Sequence, residues 1–173
     1  MAMQRRRQRR PARGGTEDQP YEDSVIQIYR SAKVVRGGRR FGFEALVVVG
    51  DRKGNVGLGY GKANEVPLAV EKGIAEARKS MFPVKLVDGR TIPHRVIGRC
   101  GASKVVMVPA SAGTGVIAGK KLRPLLELAG IHDVLTKAYG STSPKNLLKA
   151  GVDALQKLRT AEEISKLRGV KVG

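Results

Sequence analysis

The stretch from Gly38 to Gly61, GRRFGFEALVVVGDRKGNVGLGYG, decides the fold of the first half of this chain. Its first part predicts a strand that turns one face to a core, since apolar residues recur at every second position. The residues on that face are Phe41, Phe43, Ala45 and Val47. The chain then turns around Gly54, and residues 56–63 predict a second strand. We therefore predict an antiparallel hairpin.

The flanking residues extend this hairpin into a small layered unit. Upstream, Ser24–Val35 is rich in branched residues and predicts another strand. The turn RGGRR joins the two strands, with Gly37 and Gly38 expected at its central positions. Downstream, Asn64 is expected to cap a helix that has Pro67 in its first turn. The apolar stripe expected on that helix is Val66, Val70, Ile74, Ala77 and Met81.

The second half predicts strands that alternate with helices. Strands are expected around turns at 88–89 and 101–102, and again over 131–140. A helix is expected within 111–130, closing at Gly130, and Pro124 indicates that it starts late or is kinked. Two further helices are predicted from Ser143-Pro144 and from the capping-box pair Thr160 and Glu163.

These patterns predict an α+β fold in four parts. Residues 1–20 hold six arginines and few core-forming residues, and we interpret them as a disordered arm. Residues 21–83 are predicted to form the first unit, with three antiparallel strands and a helix. Residues 84–160 are predicted to form the second unit, and residues 161–173 a short helix and tail.

Charge is the strongest functional signal. The 173 residues hold 33 lysines and arginines against 15 acids, which gives a net charge of +18. Self-repulsion on this scale favours a polyanionic partner, and we expect a nucleic acid before a membrane. Two windows, 24–43 and 89–126, contain cations but no acid, as surfaces that meet phosphates do. The residues expected to contact RNA are Arg30, Lys33, Arg36, Gly37, Gly38, Arg39, Arg40, Arg52, Lys53, Lys120 and Lys121.

The sequence gives little support to a nucleotide-binding, metal-binding or catalytic site. A P-loop is excluded because Val56 and Ala63 stand where glycine and Ser or Thr are needed. GTGVIA, residues 113–118, matches the dinucleotide fingerprint, with Asp133 near the ribose distance, but four residues separate it from the preceding strand. A single cysteine and two histidines favour no metal centre or catalytic constellation. We expect no enzyme, no cofactor and no membrane span.

Several motifs resemble the small-subunit ribosomal protein S5 family. The run Gly38–Gly61 resembles that family's characteristic sequence, and PASAGTGVIAG, LELAGIHDVLTKAYGS and SPKNLL resemble its second half. The resemblance covers roughly residues 21–168. It implies a domain like those that bind double-stranded RNA, followed by a β-α-β-α domain.

The resemblance also implies a place and partners. Members of the family bind 16S rRNA of the 30S subunit on the solvent side, where head meets body. They contact ribosomal proteins S4 and S8, help form the mRNA entry path and influence decoding accuracy. For this chain it implies a cytoplasmic ribosomal protein without membrane or homo-oligomeric contacts.

Three segments match regions to which the family assigns a role. The hairpin Ser31–Arg40 matches the loop that reaches the RNA of the head. The strand that carries Gly59, Gly61 and Lys62 resembles one laid against RNA. The turn expected to face S4 comprises Gly113, Thr114, Gly115 and Gly119.

Two other functions stay open from the sequence. The first is a free regulator that binds double-stranded RNA outside the ribosome, although such a protein would not need the second unit. The other is a dinucleotide-dependent enzyme that uses residues 113–118, which binding of a nicotinamide cofactor would support.

Overall fold

Two four-stranded sheets make up the part of the chain that the computed structural model describes, residues 21–170. The predicted arm at 1–20 and the last three residues of the predicted tail lie outside it. The first sheet is antiparallel and has the order β1-β2-β3-β4. Its strands are β1 (Glu22–Val35), β2 (Gly38–Gly50), β3 (Asn55–Ala63) and β4 (Phe82–Pro83).

Helix α1 (Val66–Lys79) packs on this sheet through small residues. Its buried positions are Ala69, Gly73 and Ala77, so only one residue of the predicted apolar stripe is fully buried. Three alternate residues of β3 face the helix: Gly57, Gly59 and Gly61. A Cβ added to these glycines would lie 2.2, 2.0 and 1.9 Å, respectively, from a carbonyl oxygen of α1. The prediction that Gly59 and Gly61 admit an RNA backbone is therefore wrong, because the backbone they admit belongs to α1.

The second sheet has the order β5-β6-β8-β7, with β7 and β8 parallel and the other pairs antiparallel. Its strands are β5 (Val96–Cys100), β6 (Ser103–Pro109), β7 (Val116–Ile117) and β8 (Val134–Gly140). The helices of this half are α2 (Arg123–Leu128), α3 (Pro144–Gln156) and α4 (Ala161–Arg168). Strands and helices alternate as predicted, and the α+β fold class is confirmed.

Two local predictions are displaced by one residue along the chain. The first hairpin turns at residues 36–37, because Val35 pairs with Gly38. The residue that caps α1 is Glu65 rather than Asn64. The late start that Pro124 indicated for α2 is found: the helix begins only at Arg123. Pro124 therefore lies in the first turn, where its missing N–H costs no helical hydrogen bond.

Two of the helix-terminus signals predicted in the second half are confirmed by their hydrogen bonds. Gly130 has φ +82° and donates its N–H to the carbonyl of Glu127, while Ile131 donates to Leu126. This pair of bonds is the Schellman motif that ends many helices. At α4, Thr160 and Glu163 form both bonds of the predicted capping box.

The two sheets share one hydrophobic core. Strand β2 is buried on both faces from Ala45 to Gly50, whereas the sequence predicted one buried face. Ala45 and Val47 face α1, while Leu46 and Val48 join the cluster that contains the buried leucines of α2 and α3. The backbones of the two halves are also hydrogen-bonded to each other: the N–H of Arg52 donates to the carbonyl oxygen of Leu128, with an N···O distance of 3.0 Å.

The helices between residues 21 and 170 are all too short or too polar to cross a membrane.

Candidate nucleic-acid interface

The far end of the β1–β2 hairpin is the most cationic feature of the first unit. Its register pairs Lys33 with Arg40 and places Arg39 opposite Val34. Gly37 has φ +89°, which lets the chain reverse within two residues. Every residue from Arg36 to Arg40 is exposed, and no ion pair within residues 21–170 involves Lys33 or these arginines. We call residues 33–40 the hairpin tip.

The base of the tip combines a cation with an aromatic ring. The guanidinium carbon of Arg30 lies 3.7 Å from the centroid of Phe41, whose side chain is 45% exposed. A stacked guanidinium of this kind keeps its charge while its position is restrained. A groove of about 320 Å³ lies beside this pair and is lined by Ser31, Ala32, Lys33, Arg40, Phe41, Gly42, Lys62 and Asn64.

Lys62 is only partly available to phosphate. Its Nζ lies 3.0 Å from the carboxylate of Glu44, although 64% of the lysine side chain remains exposed. Glu44 also accepts a hydrogen bond from the hydroxyl of Tyr60. The bond from Tyr60 and then the bond from Lys62 hold the pKa of Glu44 below its ordinary value. An RNA phosphate at Lys62 therefore competes with an internal carboxylate.

Tyr60 links the two halves of the chain. Its ring lies 3.8 Å from the Nζ of Lys145, at the start of α3, which is a cation–π contact. The hydrogen bond to Glu44 and then partial burial raise the pKa of Tyr60 to about 12. The phenol therefore stays protonated, and remains a donor to Glu44, well above neutral pH.

Tyr60→Phe is expected to lower the free energy of unfolding by about 1–2 kcal/mol at pH 8, because Glu44 loses a donor. Since the folded pKa of Tyr60 exceeds its ordinary value of 10, its contribution is complete below pH 10 and disappears as the pH rises through 12. Urea unfolding at pH 8 and 11 should show a smaller difference between variant and parent at pH 11. The control is Tyr139→Phe at an exposed position; equal losses in both variants, or a constant difference at both pH values, would contradict the assignment.

The side chain of Asp51 stabilises the turn around Gly54. Asp51 accepts hydrogen bonds from the backbone N–H groups of Lys53 and Asn55, at 2.8 and 2.9 Å. Burial acts to raise the pKa of Asp51, but the hydrogen bond from the side chain of Asn55 and then these backbone bonds outweigh it, and the pKa is lowered. Arg52 pairs with Glu22 at 2.6 Å, which leaves Lys53 as the cation of this turn without an ion pair in the described chain.

The turn expected to face a neighbouring protein, residues 113–119, is anchored by a buried carboxylate of the same chain. The carboxylate of Asp133, a residue 2% exposed, accepts the N–H of Gly115 at 2.9 Å and pairs with Arg90 at 3.2 Å. The bond from Gly115 comes first among the causes that lower the pKa of Asp133. Asp133 is thus a structural anchor and is not positioned as the ribose ligand that a dinucleotide site would need.

The glycines of this turn have open space where a side chain would begin. A Cβ on Gly113, Gly115 or Gly119 would have no neighbour within 4 Å. Gly113 and Gly115 instead have φ values of +89° and +77°, which favour glycine for conformational reasons. The space beside these glycines is therefore free of described atoms, and Gly113 and Gly119 are exposed whereas Gly115 is half-buried.

The two lysines after this turn differ. Lys120 is exposed, whereas Lys121 donates to the carbonyl of Thr142 at 2.8 Å. Both line a groove of about 710 Å³ between β1 and residues 118–124. The sequence predicted phosphate contacts for both lysines, but the structure leaves Lys120 the freer to meet a phosphate.

No group of three or more metal-binding side chains occurs within residues 21–170. His94 instead accepts the N–H of Arg159 through Nε2 at 3.2 Å, which is a structural role. Sequence reasoning missed the anchor role of Asp133 and the exposed Tyr139. The alternation of side chains along the predicted strand at 131–140 could have revealed the exposure of Tyr139, because it separates residues that face the core from residues that face away.

Comparison with known proteins covers almost all of the described chain. Residues 21–85 match the family model described as "Ribosomal protein S5, N-terminal domain", and residues 98–168 match "Ribosomal protein S5, C-terminal domain". A curated protein of Rhodopirellula baltica is 57% identical over 148 residues, which are 86% of this chain and 83% of the relative. One of Rubrobacter xylanophilus is 55% identical over 170 residues, 97% of this chain and 84% of the relative. Both are named small ribosomal subunit protein uS5.

Proposed function

The chain belongs to the ribosomal protein S5 family and is a structural, non-enzymatic component of the small subunit of the cytoplasmic ribosome; we propose how it acts there. It binds 16S rRNA where head meets body on the solvent side, beside the mRNA entry path. It contacts proteins S4 and S8, and through S4 it contributes to decoding accuracy.

The hairpin tip is the observation that carries RNA binding. It projects an exposed cluster of cations that have no carboxylate partners in the described chain. Such a cluster displaces counterions from RNA, and the gain in affinity falls steeply with salt. Phosphate contacts position a protein without reading sequence, so the irregular shape of the RNA supplies specificity. Backbone atoms of α1 fill the space beside Gly59 and Gly61, so the proposed RNA contacts centre on the hairpin tip. Further phosphate contacts are proposed at Lys53, Lys62 and Lys120.

The shared core supports a positional role. The two halves are joined through the buried face of β2 and through the contact of Tyr60 with Lys145. A chain of this kind holds RNA bound at the tip at a set distance from a protein bound at residues 113–119. We infer that it restrains movement of the head against the body.

Sedimentation of a native lysate tests this function directly. The protein should migrate with small subunits at moderate and high salt, in constant proportion to other subunit proteins measured by mass spectrometry. Migration as a free species would instead favour the regulator of double-stranded RNA. A chain that co-sediments only in trace amounts would also contradict a structural role.

Gly113→Glu is expected to change the frequency of miscoding by about twofold or more while subunits still assemble. The position is exposed and an added Cβ would have no atom of the described chain within 4 Å, so we expect the new charge to act on what lies outside the chain. A shift of this size needs only a few tenths of a kcal/mol in a two-state equilibrium of the subunit. A stop-codon readthrough reporter in cells that carry only the variant would measure it.

Gly113→Ala is the matched control, because it imposes the same strain at φ +89° without the charge. Error rates that are equal in the parent and both variants would contradict a protein contact at this turn. Equal changes in both variants would assign the effect to backbone strain.

A further inference from the structure

The outer face of the second sheet is exposed to solvent at Arg99 and along β8, although Val106 of β6 is buried at its centre. Gly98 lies on the inner face, where a Cβ would stand 1.9 Å from the carbonyl oxygen of Ala150 in α3. Since side chains alternate along a strand, Arg99 must project from the opposite face. On that face of β8, Leu135 is 40% and Tyr139 52% exposed.

One row across this face combines cations with an aromatic ring. The register places Arg99 of β5 opposite Lys104 of β6, and Lys104 opposite Tyr139 of β8. Lys137 lies on the same face two residues before Tyr139, and the Nζ of Lys104 is 5.8 Å from the centroid of the tyrosine ring. None of these three cations has an ion pair within residues 21–170. We call Arg99, Lys104, Lys137 and Tyr139 the basic row.

We propose that the basic row is a second RNA site that binds unpaired nucleotides, with one base stacked on Tyr139 and the adjoining phosphates at the three cations. The charge of the row fits a polyanion, and an exposed ring on the face of a sheet offers a base a surface for stacking. A paired helix could use the cations but not the ring, because its bases are stacked on each other. The inference rests on the proposed function, that this chain binds ribosomal RNA.

The row differs from the hairpin tip in what it recognises. The tip offers cations at the end of a narrow hairpin, which suits phosphates of a structured RNA. The basic row lies in the other half of the chain and adds an aromatic surface. The protein would therefore hold a structured element with one unit and a single-stranded element with the other.

The absence of tryptophan from all 173 residues makes a local test possible. Tyr139→Trp places the only indole of the chain in the basic row, and Leu167→Trp places it on α4 as a control, at a position 71% exposed in the parent. With the full-length proteins, an eight-nucleotide oligoadenylate should quench the fluorescence of the Tyr139→Trp variant and leave that of the Leu167→Trp variant nearly unchanged. A self-complementary RNA duplex should quench the Tyr139→Trp variant much less. Equal quenching of both variants, or none of the Tyr139→Trp variant while a labelled oligonucleotide binds, would overturn the proposal.

Affinity measurements separate stacking from charge. Tyr139→Ala should weaken binding of the labelled oligoadenylate about tenfold, whereas Tyr139→Phe should retain the affinity of the parent. Lys137→Ala should reduce the slope of log affinity against log salt by about 0.7, the value for one phosphate contact on a single strand. An unchanged affinity for Tyr139→Ala would overturn the proposal.

Ultraviolet cross-linking of purified small subunits identifies the natural occupant. A peptide that carries Tyr139 joined to a nucleotide supports the proposal, and the same peptide joined to another protein overturns it in favour of a protein interface. Either result leaves the proposed function in place. Failure of the parent chain to bind RNA or to join subunits would overturn both, and the sedimentation experiment detects that case separately.

Discussion

Replacing Arg36, Arg39 and Arg40 together with alanine is expected to weaken binding to 16S rRNA on the order of a hundredfold near 0.1 M salt. All three side chains are exposed and none has an ion pair in the described chain, so their removal leaves no buried charge behind. The loss should therefore appear in RNA affinity and not in the free energy of unfolding. Each lost phosphate contact should also flatten the slope of log affinity against log salt by roughly 0.9.

Filter binding of the full-length protein to 16S rRNA at several potassium chloride concentrations measures both effects. A charge-matched control replaces Arg159, Lys166 and Arg168, which are exposed cations at the other end of the chain. The control should lose far less affinity, although its net charge is the same. If both triple variants show the same slope and affinity, net charge alone attracts RNA and the assignment of the hairpin tip fails.

Gly61→Ala is expected to lower the free energy of unfolding by about 3 kcal/mol, a large part of the 5–15 kcal/mol that stabilises a typical domain. The added Cβ would lie 1.9 Å from the carbonyl oxygen of Ala69 and 2.4 Å from the N of Gly73. Both are backbone atoms of α1, so the helix itself must move away from β3. Urea denaturation followed by circular dichroism would measure the loss.

Gly42→Ala is the control for this substitution. It lies in the adjacent strand of the same sheet, and its added Cβ would be 3.5 Å from the nearest atoms, which is an ordinary contact. We expect it to change stability by less than about 1 kcal/mol. Equal stabilities of Gly61→Ala and the parent would show that α1 does not pack against β3 as closely as described, and would reopen the interpretation that this strand receives RNA.

Much of the local structure could be predicted because its causes are local. The alternating residues of β2 and β3, the glycine that ends α2 and the capping box of α4 each act over a few residues. A local prediction was wrong where two neighbouring residues could take the same structural position. Asn64 is a good capping residue by type, yet the helix begins one residue later and Glu65 takes the position.

The candidate site could be predicted only in part. The acid-free window 24–43 located the hairpin tip correctly as an exposed cluster of cations, because charge and turn residues are visible in the sequence. Gly59 and Gly61 were assigned to the wrong partner. A glycine shows that a backbone comes close, but not whose backbone it is.

The sequence by itself determined the strands, the helices, the basic character and the resemblance to a ribosomal protein family, because each of these is written in residue types at short spacing. Only the tertiary structure decided which surfaces remain free. Burial of β2 on both faces depends on the second half of the chain folding against the first. Placement of Tyr139 in one row with Arg99 and Lys104 depends on β8, which is distant in sequence from the β5–β6 hairpin that it extends. Such relations arise from packing between distant segments, and no local pattern specifies them.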